Sequence, residues 1–258
     1  MCTLVTLRRP GHRWPLLLAA NRDEMADRPW QPPGRHWTDA PGIFAGRDLL
    51  GGGSWFGLND DGVVAAVLNR INTLGPAPGR RSRGELPLLA LAHPTAREAA
   101  DAIGAVDAAA WRSFNMIIAD RASAYFIRSA DDRAPPDGVS AGRPSLTVEP
   151  VPEGLSMVTA HDRNDLHSPR IRRYLPRFGA APEPRPEAAD WAAWIGLLAS
   201  RDADPDAGPG GAMTVITTTG FGTVCSALLA LPADGACRPQ LLFAAGRPGD
   251  VPFEAMPV

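Results

Sequence analysis

Met1-Cys2-Thr3-Leu4-Val5-Thr6-Leu7 and Leu16-Leu17-Leu18-Ala19-Ala20-Asn21-Arg22-Asp23-Glu24 are the two stretches on which the reading of this chain turns. Both are apolar runs of strand length, and Arg9-Pro10-Gly11 between them is a turn signal. Folded as a hairpin, they bring the end of the second strand beside the start of the first. A thiol at position 2 then lies next to Asn21-Arg22-Asp23-Glu24. If Met1 is removed, a free α-amine lies there as well.

Working outward, composition narrows the field. The chain has 258 residues, 45% hydrophobic and 21% charged, which is ordinary for a soluble globular protein. A formal charge of -2 and a pI near 6.2 give no basic face for nucleic acid. All the basic residues are arginine, so lysine-dependent chemistry, including the phosphate-binding P-loop and Schiff bases, is excluded. No apolar run approaches membrane-spanning length, and the start of the chain lacks the basic and apolar regions of a signal peptide. Cys2, Cys225 and Cys237 are odd in number and lack CxxC spacing, which argues against a disulfide framework and a zinc site. A cytoplasmic location is expected, with no membrane span and no nucleic-acid partner.

Residues 25–41, rich in Pro, Trp and Arg, read as an ordered surface loop. Ile43-Phe44-Ala45-Gly46 reads as a short strand. Gly51-Gly52-Gly53 precedes Ser54-Trp55-Phe56-Gly57-Leu58-Asn59, and Asp60-Asp61-Gly62 is a hairpin turn leading into the apolar run 63–68. Ser82 with Glu85, and Thr95 with Glu98, form capping boxes for two helices. Strands are expected at 114–119, 124–128, 156–160, 213–218, 224–231 and 240–245. A loop is expected at 130–145. Ser168-Pro169 starts a basic helix to about Phe178, and another helix is expected around 188–200. Strand pairs joined by tight turns, with helices in two blocks, predict antiparallel sheets with helices outside, an α+β architecture.

Cys2 reads in two ways. As a small hydrophobe it opens a strand. As a new N-terminus it carries nucleophile and base on one residue, because an α-amine titrates at about 7.7 to 8.0 and can take the thiol proton. The tetrapeptide favours the second reading: Arg22 would lower the thiol pKa and Asp23 would orient the amine. Asn69 ends a buried strand, where an amide can serve as an oxyanion donor or simply form a turn. Asn21, Glu24, Trp55, Asn59 and Arg170 are candidate substrate contacts. Arg170 begins an Arg-rich helix whose N-terminus could hold a phosphate or carboxylate. His161 and His167 lack metal-site spacing, Gly53-Ser54-Trp55-Phe56-Gly57 misses the GxSxG elbow, and Cys225 reads as core.

Met1-Cys2, Leu18 to Glu24 with Arg28-Pro29, Gly52 to Gly57, Leu68-Asn69, Ser82-Arg83-Gly84-Glu85-Leu86 and Phe114 to Asp120 resemble, in order, the NRDE family. This is the family of transport and Golgi organisation protein 2, placed among the N-terminal nucleophile hydrolases. The resemblance implies a single domain over 1–258, a four-layer αββα sandwich of two antiparallel sheets flanked by helices. The 57–69 segment also resembles choloylglycine hydrolases and penicillin V acylases, which implies an oxyanion role for Asn69 and matches Arg22 and Asp23 to their Arg and Asp. The second Asn of those acylases corresponds to His161 or Asn164, which the resemblance adds as candidate substrate contacts. Their late-strand Arg is absent here, where Gly222-Thr223-Val224-Cys225-Ser226 stands. The expectation is a cysteine N-terminal nucleophile hydrolase cleaving a non-peptide amide of a small acylated substrate, active after Met1 removal and without cofactor. The alternatives are a carrier of haem or an acyl thioester on the same fold, which the resemblance connects with haem trafficking, and a purely structural or interaction protein.

Overall fold

The structure is a computed structural model and describes residues 2–130 and 145–258. In chain order its strands and α-helices are β1 (Thr3–Arg8), β2 (Leu16–Met25), β3 (Trp30–Gly34), β4 (Ile43–Asp48), β5 (Phe56–Asn59), β6 (Val64–Asn69), α1 (Glu85–Leu91), α2 (Ala96–Gly104), β7 (Phe114–Ala119), β8 (Ala124–Ala130), β9 (Ser145–Pro150), β10 (Gly154–Val158), α3 (Pro169–Ala180), α4 (Ala192–Leu198), β11 (Phe221–Leu231), β12 (Gln240–Ala244) and β13 (Glu254–Ala255). The protein is α+β, with two antiparallel sheets and four α-helices among the described residues. The chain divides into two compact units, Met1–Pro32 with Pro152–Val258, and Pro33–Val151.

The first unit holds a six-stranded sheet in the order β10-β1-β2-β11-β12-β13. The β1–β2 hairpin forms as the sequence predicts, with Thr3 opposite Asn21 and Arg8 opposite Leu16. Side chains alternate between sheet faces, so residues two apart share one. Val5, Leu7, Leu17, Ala19, Leu228 and Ala230 pack on one face with Ile171, Tyr174 and Phe178 of α3 and Trp194 and Leu198 of α4. α3 begins where Ser168 caps it, accepting from the Ile171 N–H, with Pro169 in the first turn.

β10 is an edge strand that could pair with another chain, and Asn164 covers it. The Met157 N–H donates to Asn164 Oδ1 at 2.7 Å, and the Asn164 N–H donates to the Met157 carbonyl at 2.9 Å. Asn164 adopts φ 56°, a left-handed conformation that Asn tolerates better than most residues.

The second unit holds β4 to β9 of a seven-stranded sheet that runs β3 through β9 in sequence order, and it carries α1 and α2. Thr95 caps α2 by accepting from the Glu98 N–H. Its buried residues Ala96, Ala99, Ala100 and Ile103 recur at helical spacing on the sheet side. The glycine motif has a steric purpose. A Cβ on Gly53 would meet the backbone of Gly84 at 2.2 Å, and the Ser54 N–H donates to the Gly84 carbonyl at 2.8 Å. Gly52-Gly53-Ser54 and Arg83-Gly84-Glu85, thirty-one positions apart, therefore meet backbone to backbone.

Several expectations are corrected. Residues 30–34, within the expected loop, form β3; Pro32 and Pro33 are tolerated because the strand is at an edge of the sheet. Residues 213–218 are not a strand. The Met213 carbonyl accepts from Asn21 Nδ2, the Thr214 N–H donates to Ser200 O and the Val215 N–H to Thr223 Oγ1, so their backbone groups are satisfied without a full ladder. The Ser82 box does not close: Ser82 Oγ accepts from the Gly84 N–H while Glu85 turns to Arg81, and α1 starts at Glu85. The helix expected around 188–200 is only α4, Ala192–Leu198, because residues 186–188 form a 3-10 turn ending at Ala189, whose φ is 52°. β9 begins at Ser145, the last residue of the loop expected at 130–145; residues 131–144 of that expectation lie outside the described residues.

Candidate functional site

The paired ends of β1 and β2 define the site. Register places residue 2 opposite Arg22, one step beyond the Thr3–Asn21 pair. On the other side of β2, Arg22 pairs with Cys225 and Asp23 with Thr223, the register shifting between Thr223 and Cys225. Val224 is the extra residue of that bulge. Cys2, Arg22 and Cys225 thus form a row across three strands. Alternation puts Arg22 and Cys225 on the face away from α3 and α4, and Asn21 and Asp23 on the face toward those helices.

The thiol of Cys2, partly buried, donates to the Asp23 carbonyl at 3.7 Å. Burial pushes its pKa up, and the charge of Asp23 adds to this. The bond to the Asp23 carbonyl and the charge of Arg22 act the other way. The net shift is upward, so near neutral pH the sulfur is a thiol and needs a base to become a nucleophile. Arg22 is buried, with Glu24 Oε2 3.9 Å away, and Glu24 also approaches Arg28 at 3.8 Å.

Asp23 is fully enclosed. Its Oδ2 accepts from Arg170 Nη1 at 3.0 Å and its Oδ1 from Thr223 Oγ1 at 2.7 Å. Arg170 Nη1 also donates to Thr3 Oγ1 at 2.5 Å, and Nη2 to the Gly210 carbonyl at 2.9 Å. Side-chain exposure is 2% for Arg170 and 0% for Asp23. Arg170 lies on the helical line Arg170-Tyr174-Phe178, so the core-facing stripe of α3 delivers a guanidinium to the site. Thr3, Thr223 and Ser226 were missed in the sequence. Their signal is a hydroxyl in an otherwise apolar strand.

Asn21 is committed to structure. Its Nδ2 donates to the carbonyls of Leu198 (3.0 Å) and Met213 (2.9 Å), and its Oδ1 accepts from Ser226 Oγ at 2.7 Å. His161 follows β10. Its N–H donates to Thr159 Oγ1, and its Nδ1 lies 3.4 Å from Asp165 Oδ2. Asn164 guards the β10 edge as described. Asn59, Asn69 and Trp55 belong to the second unit. Asn59 Nδ2 donates to the carbonyls of Leu91 and His93, and its Oδ1 accepts from the Val63 N–H. Asn69 ends β6 opposite Phe114. The Trp55 ring lies where a Cβ on Gly46 would be.

Cys225 is 1% exposed, and burial raises its pKa from 9.0 to about 12. A raised thiol pKa means that the folded state holds its proton while the unfolded state loses it. The stability this provides is present below pH 9 and is lost as pH rises toward 12, by up to roughly 4 kcal/mol at about 1.4 kcal/mol per unit. Denaturant unfolding across the alkaline range is expected to show this decline, and Cys225→Ala is expected to flatten it.

The fold is that of the N-terminal nucleophile hydrolases. It matches a Caenorhabditis elegans N-acylethanolamine-hydrolyzing acid amidase ortholog with TM-score 0.55 at 13% identity, over 91% of this chain and 95% of that one. It also matches the C2A mutant of conjugated bile acid hydrolase from Clostridium perfringens with TM-score 0.54 at 11% identity, over 99% and 92%. The sequence model for Transport and Golgi organisation 2 matches residues 1–158, and the chain belongs to that family. No curated protein sequence matches it. Among the described residues no helix is long and apolar enough to cross a membrane.

Proposed function

We propose that the protein is a cysteine N-terminal nucleophile hydrolase that cleaves a non-peptide amide of a small acylated substrate once Met1 is removed. The observation that carries the reading is the placement of residue 2: its thiol at the Asp23 carbonyl, opposite buried Arg22 and beside a buried, ion-paired carboxylate. Both structural neighbours described above are named as hydrolases, one of them of N-acylethanolamines.

The α-amine of Cys2 takes the thiol proton, and sulfur attacks the substrate carbonyl carbon. The tetrahedral adduct collapses, the C–N bond breaks, and the proton held by the amine passes to the leaving nitrogen. Water then attacks the thioester, its proton passing by way of the same amine back to sulfur as the C–S bond breaks. The acid and the free thiol are released. No cofactor enters these steps.

Intact-mass measurement is the first test, since retained Met1 sinks this mechanism. On the processed protein, a panel of N-acylated amines is expected to yield free acid, and a cysteine-directed acylating probe is expected to label the N-terminal peptide.

A further inference from the structure

A carboxylate beside an α-amine favours its ammonium form, and an ammonium cannot take a thiol proton. Asp23 stands next to residue 2 in the sheet, so by itself it would weaken the base that the proposed chemistry needs. The structure supplies a charge that offsets it. Arg170 reaches from the first turn of α3, with one nitrogen shared between Asp23 Oδ2 and Thr3 Oγ1 and the other on the Gly210 carbonyl. The pair is enclosed, where solvent and salt screen little. The guanidinium therefore grips the residue next to Cys2, the carboxylate on the neighbouring strand and a loop, all at once.

We propose that Arg170 is a positioning residue that neutralises Asp23, so that the carboxylate orients the α-amine of residue 2 without holding it as an ammonium. This rests on the hydrolase reading above. Arg170 contacts no reacting atom in this scheme. It acts through Asp23 and Thr3. Other ionisable groups lie around residue 2 among the described residues. Arg22 stands across from residue 2 on β2 and turns to the sheet face opposite Asp23, near Glu24. Cys225 is a neutral buried thiol across β2. His161, on the loop after β10, is turned to Asp165. Among the described residues, Arg170 and Asp23 are a buried charged pair on the helix side of residue 2.

The chain contains no lysine, so its only primary amine is the α-amine. In a Cys2→Ala background, which removes the neighbouring thiol, reductive methylation with isotope-labelled formaldehyde marks that amine alone. Its NMR signal can be titrated. Adding Arg170→Met is expected to raise the amine pKa by about one unit, as a newly unpaired carboxylate nearby should. Adding Asp23→Asn on top is expected to return it to within a few tenths of the starting value. An amine that ignores Arg170→Met overturns the proposal. If that variant does not fold, the Asp23→Asn/Arg170→Met pair decides alone: a fall of about one unit would show that Asp23 was acting on the amine without neutralisation. Retained Met1 in the labelled peptide would sink the hydrolase reading along with this one. A processed chain with an unresponsive amine sinks this one only.

Discussion

Replacing Cys2 with alanine is expected to reduce amide turnover by at least about a thousandfold, the scale set by loss of a covalent nucleophile. The fold should be untouched, since the side chain is small and makes one weak sulfur contact to the Asp23 carbonyl. Thermal unfolding of Cys2→Ala should therefore match the parent while product formation from the responsive amide disappears. Cys237, which is exposed, provides an internal control. A thiol probe should still label it in the variant, whereas labelling of the N-terminal peptide is lost. Turnover that survives in Cys2→Ala would remove the nucleophile from the mechanism.

The largest effect on stability is expected at Asp23. Asp23→Leu leaves the Arg170 guanidinium buried opposite an apolar side chain, with Thr3 and Gly210 still holding it there. Breaking a buried pair by removing one partner costs about 3–5 kcal/mol, because the remaining charge is neither solvated nor matched. For a chain of this size the melting temperature should drop by roughly 10 °C. Adding Arg170→Met should recover most of that loss, since a buried ion pair and an apolar pair of similar volume are often close in stability. The two changes should thus be strongly non-additive. Additive losses in the double variant would show that the pair is not coupled in the folded protein.

The hairpin was legible because two apolar runs of strand length flank a Pro-Gly turn, and a hairpin fixes which ends meet. That alone put Cys2 beside Arg22 and Asp23. α3 was equally legible from Ser168-Pro169. The backbone of 213–218 misled because its apolar residues do report burial. Burial there comes from satisfying the backbone through Asn21, Ser200 and Thr223 rather than through a strand ladder. Asn59 and Asn164 were candidate substrate contacts, and both amides are hydrogen-bonded within the protein, Asn59 to Leu91, His93 and Val63 and Asn164 to Met157.

Arg170 shows most clearly where one-dimensional reading stops. In the sequence it is the first of four arginines in a basic helix whose N-terminus reads as an anion site. One signal was available: Arg170 shares a helical line with Tyr174 and Phe178, which places a cation on an apolar stripe. Its partner, 147 positions earlier in the chain, could not be read from that signal.

Local propensity and alternation determined the hairpin, the α3 start and the row that sets residue 2 against Arg22, because these depend on neighbours within about twenty residues. The tertiary structure decided which way the carboxylate of Asp23 faces, which cation meets it, and that the bulge at Val224 leaves Thr223 to hydrogen-bond it. Those outcomes depend on β11 and α3 arriving from the far end of the chain, and only their packing against one sheet face brings the charges together.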